Sequence, residues 1–420
     1  VTGRLFPGWV VVGAAALVLF LAYGAQYAFG VFFAALLEEF GWSRASLSGA
    51  FSLYVLVYSG FAVAAGRLTD RWGPRAVIGL GGAFLGLGLA GMSGVTALWQ
   101  PFVLYGGIAA VGMSTAFVPC TATVVRWFVR RRGLAVGIAS AGGSLGTLVL
   151  PPVAHLLVSG IGWRWAYVAF GAVILLALNG LARLMRRDPE SLGLAPDGDP
   201  APAPAAEQGA GPDWTTGAAL RTRAFWILFS VFSASWVPVF VPVVHLVAHA
   251  RDLGIPPLGA ATLISATGVG AVGGRVVMGA VSDRIGRRPA LAAGFVLETA
   301  AFLGFLGPGS LAGLYLPALV FGFAYGSVST MLPAVVSDFF GRAQAGTLVG
   351  ILFGLAGPVA AVGPVMAGWV YDRRGSYDLA WWLSAACNAG AVLLLAAARP
   401  PAGAPPRRGA GPVAFPPDPG

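Results

Sequence analysis

Arg275 is the residue whose setting most constrains the chemistry of this 420-residue chain. It lies in an apolar stretch between Gly273-Gly274 and Met278-Gly279, and Asp283 follows at the end of that stretch. At about 1.5 Å per helical residue, this places it roughly 12 Å into a membrane-spanning helix. An arginine at that depth costs about 2.5–3.5 kcal/mol to insert, so it must face a cavity, a partner or an anionic ligand. Nothing acidic on its own helix compensates it, because the position one turn earlier is Ala271 and Asp283 is too far along. Carbonyls or a carboxylate from another helix would make it a structural residue. A bound anion would make it a site, and the planar guanidinium fork grips a carboxylate through two parallel hydrogen bonds. The expected substrate carries a carboxylate.

Other polar side chains could complete such a site. His245, in Pro242-Val243-Val244-His245, is the best titratable candidate, since imidazole exchanges protons near neutral pH. A hydrogen-bonded packing role competes with that reading, and more strongly so for His155 and His249. Tyr23, Gln26 and Tyr27 share one helical face at i, i+3 and i+4, and Tyr325 has a similar setting. A tyrosine can hold an apolar substrate body while its hydroxyl meets a carboxylate, although interhelical packing would use the same residues. Ser114, Thr115, Ser140 and Ser144 add hydroxyls. Glu298 is the carboxylate clearly inside an apolar segment, and it reads as a packing or snorkelling group rather than a proton carrier. Cys120 and Cys387 have no metal-ligand spacing and are expected to pack. Three scattered histidines without an acidic partner motif supply no catalytic constellation, so no enzyme activity, cofactor or metal is expected.

The elements that must position these residues are membrane helices. Hydrophobic residues make up 57% of the chain, charged residues 10%, and the mean hydropathy is +0.79, which points to the bilayer as solvent. Twelve stretches approach the roughly 20 apolar residues that a spanning helix needs. They run near 9–37, 46–66, 76–96, 100–125, 133–158, 164–186, 224–250, 258–280, 290–308, 310–338, 344–370 and 377–398. The first is too long for a cleavable signal and reads as a helix. Glycines crowd several of them, as in Gly79-Gly81-Gly82-Gly86-Gly88, where they allow close packing and smooth sliding faces. Pro238, Pro242, Pro358 and Pro364 mark bends whose freed carbonyls must face protein or a cavity.

The net charge of +10 invites a nucleic-acid reading until the positions are read. All 26 basic residues are arginine, and with the N-terminus in the cytoplasm 20 of them fall at cytoplasmic ends or loops. Five face outward (Arg44, Arg164, Arg251, Arg373, Arg374) and Arg275 lies within a segment. This positive-inside pattern puts both termini in the cytoplasm, and no nucleic-acid partner is expected. Residues 187–222, with Pro200-Ala201-Pro202-Ala203-Pro204, cannot bury a core and are expected to be a disordered cytoplasmic linker. The expected organisation is a bundle at 1–186, that linker, a second bundle at 223–398 and a disordered tail at 399–420.

The two bundles are related. Gly66, Asp70, Arg71, Gly73 and Arg75 return 213 positions later as Gly279, Asp283, Arg284, Gly286 and Arg288, while Phe128 and Pro152 are answered 212 later by Phe340 and Pro364. An apolar helix ending in this Gly and Asp-Arg turn resembles the loop between helices 2 and 3 of the major facilitator superfamily, repeated between helices 8 and 9. The resemblance implies an all-α membrane protein of twelve helices in two pseudo-symmetric six-helix bundles. Arg126-Trp127-Phe128, Arg130 to Ala139 and Ala141-Gly142-Gly143-Ser144-Leu145-Gly146 are similar to the helix 4–5 motif of the monocarboxylate transporter family. Arg275-Val276-Val277-Met278-Gly279 is similar to the surroundings of that family's substrate-binding arginine, and Gly8-Trp9 keeps part of its helix 1 motif. Bacterial members resembling the family place a histidine on helix 7 near the substrate, which His245 matches. Two departures stand out: no acidic residue precedes Gly8-Trp9, and Ala271 replaces the aspartate that animal members carry one turn before the arginine.

The resemblance implies a secondary transporter of a small organic anion such as lactate or pyruvate, working by alternating access in a bacterial inner membrane. Proton symport and oxalate–formate-type exchange are both open, and a proton-driven exporter of drug-like compounds is the rival reading. The candidate substrate site comprises Arg275, His245, Tyr23, Tyr27, Ser114 and Tyr325. Asp70, Arg71, Arg75, Arg126, Asp283, Arg284, Arg288 and Asp338 form the candidate cytoplasmic gate, whose ion pairs would hold the outward-open state shut on the inside. The expected partners are the lipid bilayer, a carboxylate and a coupling proton, with the chain acting as a monomer.

Overall fold

A computed structural model describes residues 6–128, 131–198, 214–307, 309–341 and 345–401. Ten helical stretches among them are long and apolar enough to cross a membrane. One of these, Leu134–Ala182, contains two spans, because Gly162 breaks the helix Arg132–Ala182 with φ 78° and ψ 156°. A twelfth helix, Arg287–Gly304, is short and carries Arg287, Arg288 and Glu298.

The helices are α1 (Pro7–Phe40), α2 (Arg44–Trp72), α3 (Pro74–Gly91), α4 (Trp99–Trp127), α5 (132–161) and α6 (163–182) in the first half. The second half holds α7 (Arg223–Asp252), α8 (Pro257–Ile285), α9 (Arg287–Gly304), α10 (Leu311–Phe340), α11 (Thr347–Arg374) and α12 (Asp378–Ala397). The chain is thus an all-α membrane protein of two six-helix halves. Successive helices run in opposite directions, so the α1–α2, α7–α8 and α11–α12 turns gather at one end, called here the Arg44 end. The start of α1 and the end of α12 lie at the other, called here the terminal end.

The repeated motif folds alike in both copies. Gly73 between α2 and α3 has φ 81° and ψ 161°, and Gly286 between α8 and α9 has φ 88° and ψ 151°. Only glycine populates that region without strain, which is why the spacing carries a glycine at this place. Of the expected linker, residues 190–192 and 196–198 form short 3-10 turns and Thr216–Leu220 a short helix, while 199–213 lie outside the described residues. The expected tail lies outside them beyond residue 401.

Small residues set the helix spacing around the centre. A Cβ on Gly274 of α8 would overlap the Phe323 carbonyl of α10, and one on Gly326 would overlap the Ala271 carbonyl. Gly142 of α5 likewise abuts the Ala16 carbonyl of α1. These contacts bring whole backbones together. α11 bends near Ala361, between Ala345–Ala360 and Val362–Arg374. Pro364 explains the break, since it offers no N–H to the Ala360 carbonyl and its ring crowds that group.

Candidate functional site

Two polar clusters join the halves. The first lies around Arg275 on α8, where Nη1 donates to the Ser140 carbonyl of α5 at 3.1 Å and to Ser144 Oγ at 2.5 Å. Both acceptors are neutral, and no carboxylate among the described residues comes within ion-pair distance. Nε and Nη2 have no partner among those residues, so the side-on edge of the guanidinium is open. The residue is half-buried, which leaves that edge reachable.

Tyrosines face this arginine. Arg275 interacts electrostatically with the hydroxyls of Tyr23 and Tyr27 on α1. Tyr325 of α10 is near enough to interact with Tyr23, Tyr27 and Tyr58, and Tyr58 of α2 also meets Gln26 and Ser59. Gln26 is 2% exposed and its Oε1 has no hydrogen-bond partner. The result is one anchored cation, a set of phenolic hydroxyls and a free amide oxygen, contributed by α1, α2, α5, α8 and α10. Such a set can hold a small anion with an apolar body and a hydroxyl.

Arg275, Tyr23, Tyr27 and Tyr325 therefore come together, whereas Ser114 and His245 do not join them. The Ser114 hydroxyl donates to the Val111 carbonyl of its own helix at 2.7 Å. His245 belongs to the second cluster, toward the Arg44 end.

Arg44 organises that cluster. Its Nη1 and Nη2 each lie 2.7 Å from a carboxylate oxygen of Asp252 at the end of α7. Nη1 also donates to Tyr377 Oη at 2.8 Å, and the guanidinium carbon sits 3.7 Å from the centre of the Tyr371 ring. Asp372, closing α11, accepts from the backbone N–H groups of Arg44 and Ala45 at 2.9 Å each. Ser43 Oγ accepts from Ser46 N, so the first-turn N–H groups of Arg44, Ala45 and Ser46 are all satisfied, two of them by the other half. Arg251 of α7 adds a 2.7 Å pair with Glu38 of α1.

The hydrogen-bond roles follow from the partners. The Pro364 carbonyl only accepts, so His245 Nε2 carries a hydrogen and donates to it at 2.8 Å. Nδ1 of the neutral ring then accepts from the Tyr377 hydroxyl at 2.9 Å, and that hydroxyl accepts in turn from Arg44. Burial pushes the Tyr377 phenol above its ordinary value against the pull of the Arg44 charge, so it keeps its proton. Arg44, Tyr377, His245 and Pro364 form one consistent donor chain, with Phe33 of α1 edge-on to the imidazole at 5.2 Å. His249 packs against Tyr377 and Trp381, and His155 lines a cavity of about 240 Å³ with Glu38 and Arg251.

The Arg44 cluster escapes a reading built on two motif copies, although a signal exists. Gly368, Asp372, Arg373 and Gly375 repeat the spacing of Gly66, Asp70, Arg71 and Gly73 at the opposite end of the molecule. At the terminal end, the side chains of Asp70 and Asp283 lie outside the described residues. Arg71 and Arg284 are exposed, and Arg126 ends α4 half-buried. Asp338 pairs with Arg287 at 2.6 Å and Arg288 donates to the Leu395 carbonyl at 3.1 Å, both within the second half. Arg75 turns to a groove between α3 and α6.

The family model of the Major Facilitator Superfamily matches residues 15–250 and 239–419. Monocarboxylate transporter 11 from Homo sapiens is 32% identical over 393 residues, covering 90% of this chain and 80% of that protein. Monocarboxylate transporter 4 from Rattus norvegicus is 27% identical over 398 residues, covering 92% and 82%. A crystal structure of a mutant of the nucleoside transporter NupG has a TM-score of 0.73 at 13% identity, covering 92% of this chain and 99% of that one, a likeness of fold.

Proposed function

Because the chain belongs to the Major Facilitator Superfamily, we propose that it carries a small monocarboxylate by alternating access, with Arg275 as the anion-binding group. Membership makes the chain a multi-pass membrane transporter rather than an enzyme. The observation that carries the substrate class is the state of Arg275: Nη1 is anchored by Ser140 and Ser144, the Nε–Nη2 edge is open, and no acid compensates the charge among the described residues. A carboxylate docking side-on would make two parallel charge-assisted bonds there. The names of the relatives point the same way. A 2-hydroxy acid suits the surroundings, with Tyr27 and Tyr325 meeting the carboxylate and the Gln26 oxygen accepting from the hydroxyl.

Bound anion would tie α8 and α5 to the tyrosines of α1 and α10, so substrate stabilises the state in which both halves reach it. The Arg44 cluster serves as the outer gate of this cycle, and the arginine-rich terminal end faces the cytoplasm of a bacterial plasma membrane. Exchange of one anion for another is the second reading, favoured because both ring nitrogens of His245 are spent on Tyr377 and Pro364 rather than on Arg275.

Reconstitution into liposomes tests the proposal. Lactate or pyruvate uptake is expected in the wild type, with carboxylate binding abolished by Arg275→Ala and little restored by Arg275→Lys, which lacks the planar fork. Near-normal affinity in a folded Arg275→Ala protein would remove the arginine from the site. A pH-sensitive dye, with and without trapped carboxylate, separates symport from exchange. In symport, proton movement accompanies uptake and changes in His245→Ala but persists in Glu298→Gln. In exchange, uptake needs internal anion and moves no protons.

A further inference from the structure

A groove on the outer surface of the first half lies between α3 and α6 at the terminal end, with a volume of about 530 Å³. On α3 it is lined by Ala76, Gly79, Leu80 and Ala83, spaced i, i+3, i+4 and i+7 along one helix face. On α6 it is lined by Asn179, Ala182 and Arg183. The floor is small and apolar, and it runs roughly 12 Å from Arg75 into the membrane level of Ala83.

The mouth has a different character. Arg75 and Arg183 both line it and both are exposed, and neither side chain has an ion pair or hydrogen bond among the described residues. No carboxylate is among the described lining residues. α3 begins at the same place with Pro74 and no side-chain cap, so its first-turn N–H groups and dipole add positive potential. Trp72 at the mouth is 54% exposed and Leu80 within the groove 49%, as befits residues at a lipid interface.

Two guanidinium groups with no partner among the described residues, set over an apolar trough, match one kind of occupant. We propose that this groove binds an anionic phospholipid, with the phosphate between Arg75 and Arg183 and an acyl chain along Ala76, Gly79, Leu80 and Ala83. A soluble phosphate would use only the mouth, and a zwitterionic lipid would bring its own cation to two arginines. The trough and the charge together select a lipid that is both chained and anionic.

The site is independent of the transported substrate and is tested by binding. Delipidated protein is titrated with dioleoyl phosphatidylglycerol, dioleoyl phosphatidylcholine or inorganic phosphate, and complexes are counted by native mass spectrometry. The phosphatidylglycerol complex is expected to dominate. It should weaken roughly fivefold in Arg183→Gln and about thirtyfold in the Arg75→Gln/Arg183→Gln protein, the effect of removing one and two basic groups from an anionic lipid surface. Ala83→Phe fills the trough without touching charge and should also lose the lipid. Equal binding of phosphatidylcholine, binding of phosphate as tight as that of phosphatidylglycerol, or undiminished lipid binding in both the double variant and Ala83→Phe would overturn the assignment.

Discussion

Arg44 and Asp252, 208 residues apart, meet fork to fork across the two halves, Nη1 to Oδ2 and Nη2 to Oδ1, at 2.7 Å each. The side chains are 15% and 30% exposed and the Tyr371 ring covers the guanidinium, so water competes less than at an ordinary surface pair. Asp252→Asn should loosen this end by on the order of 1–2 kcal/mol, roughly a tenfold shift toward its open state. The check is maleimide labelling of Ala34→Cys, a position 7% exposed that lines the cavity with Glu38 and Arg251 at this end, in a protein with Cys387→Ser. Labelling unchanged by Asp252→Asn would mean that the pair does not hold the halves.

Tyr377 is the joint between that pair and His245, donating to one partner while accepting from the other. Tyr377→Phe keeps the ring but leaves His245 Nδ1 buried without a donor, a loss of about 1–3 kcal/mol. A lower melting temperature is therefore expected from Tyr377→Phe than from Tyr371→Phe, whose ring contact with Arg44 survives. Equal melting of the two variants would show that the donor chain contributes nothing.

At the centre, Ser144 holds Nη1 of Arg275 and thereby aims the open edge of the guanidinium. Ser144→Ala should retain binding but weaken it roughly three- to tenfold, because the charge remains and only its positioning is lost. Calorimetry with lactate or pyruvate on Ser144→Ala and Arg275→Ala distinguishes positioning from gripping. Tighter binding in Ser144→Ala would instead mean that the serine competes with the substrate for the fork.

The legibility of these features differs for physical reasons. Spans declare themselves through local hydropathy, which is why the twelve stretches match α1–α12 with only end shifts, and why Gly162 can break a helix without breaking the apolar run. The repeated glycine turns were readable because a backbone conformation demands the residue type. Arg275 was readable because burying its charge is costly wherever it points, yet its partner Ser144, 131 positions away, depends on how α5 and α8 pack. His245 shows the opposite case: its type suggested a substrate contact, while α11, bent at Pro364, supplies the carbonyl that uses its Nε2. Arg44, Asp252 and Asp372 each sit at a segment end, where charged residues ordinarily meet water. Only the third Gly and Asp-Arg spacing at Gly368–Gly375 sets them apart.

That third copy gives the last expectation. Asp372 Oδ1 and Oδ2 take the first two N–H groups of α2 from across the halves, and a carboxylate there also meets the positive end of the helix dipole. Asp372→Ala removes both acceptors and the charge, whereas Asp372→Asn keeps one acceptor and loses the charge. If capping across the halves closes this end, labelling of Ala34→Cys should rise in the order wild type, Asp372→Asn, Asp372→Ala, with a total shift on the order of 1–2 kcal/mol. A cap within one half would instead lower helix stability without opening the interface. Asp372→Ala would then melt earlier while Ala34→Cys stayed protected, and that outcome would reassign Asp372 from gate to fold.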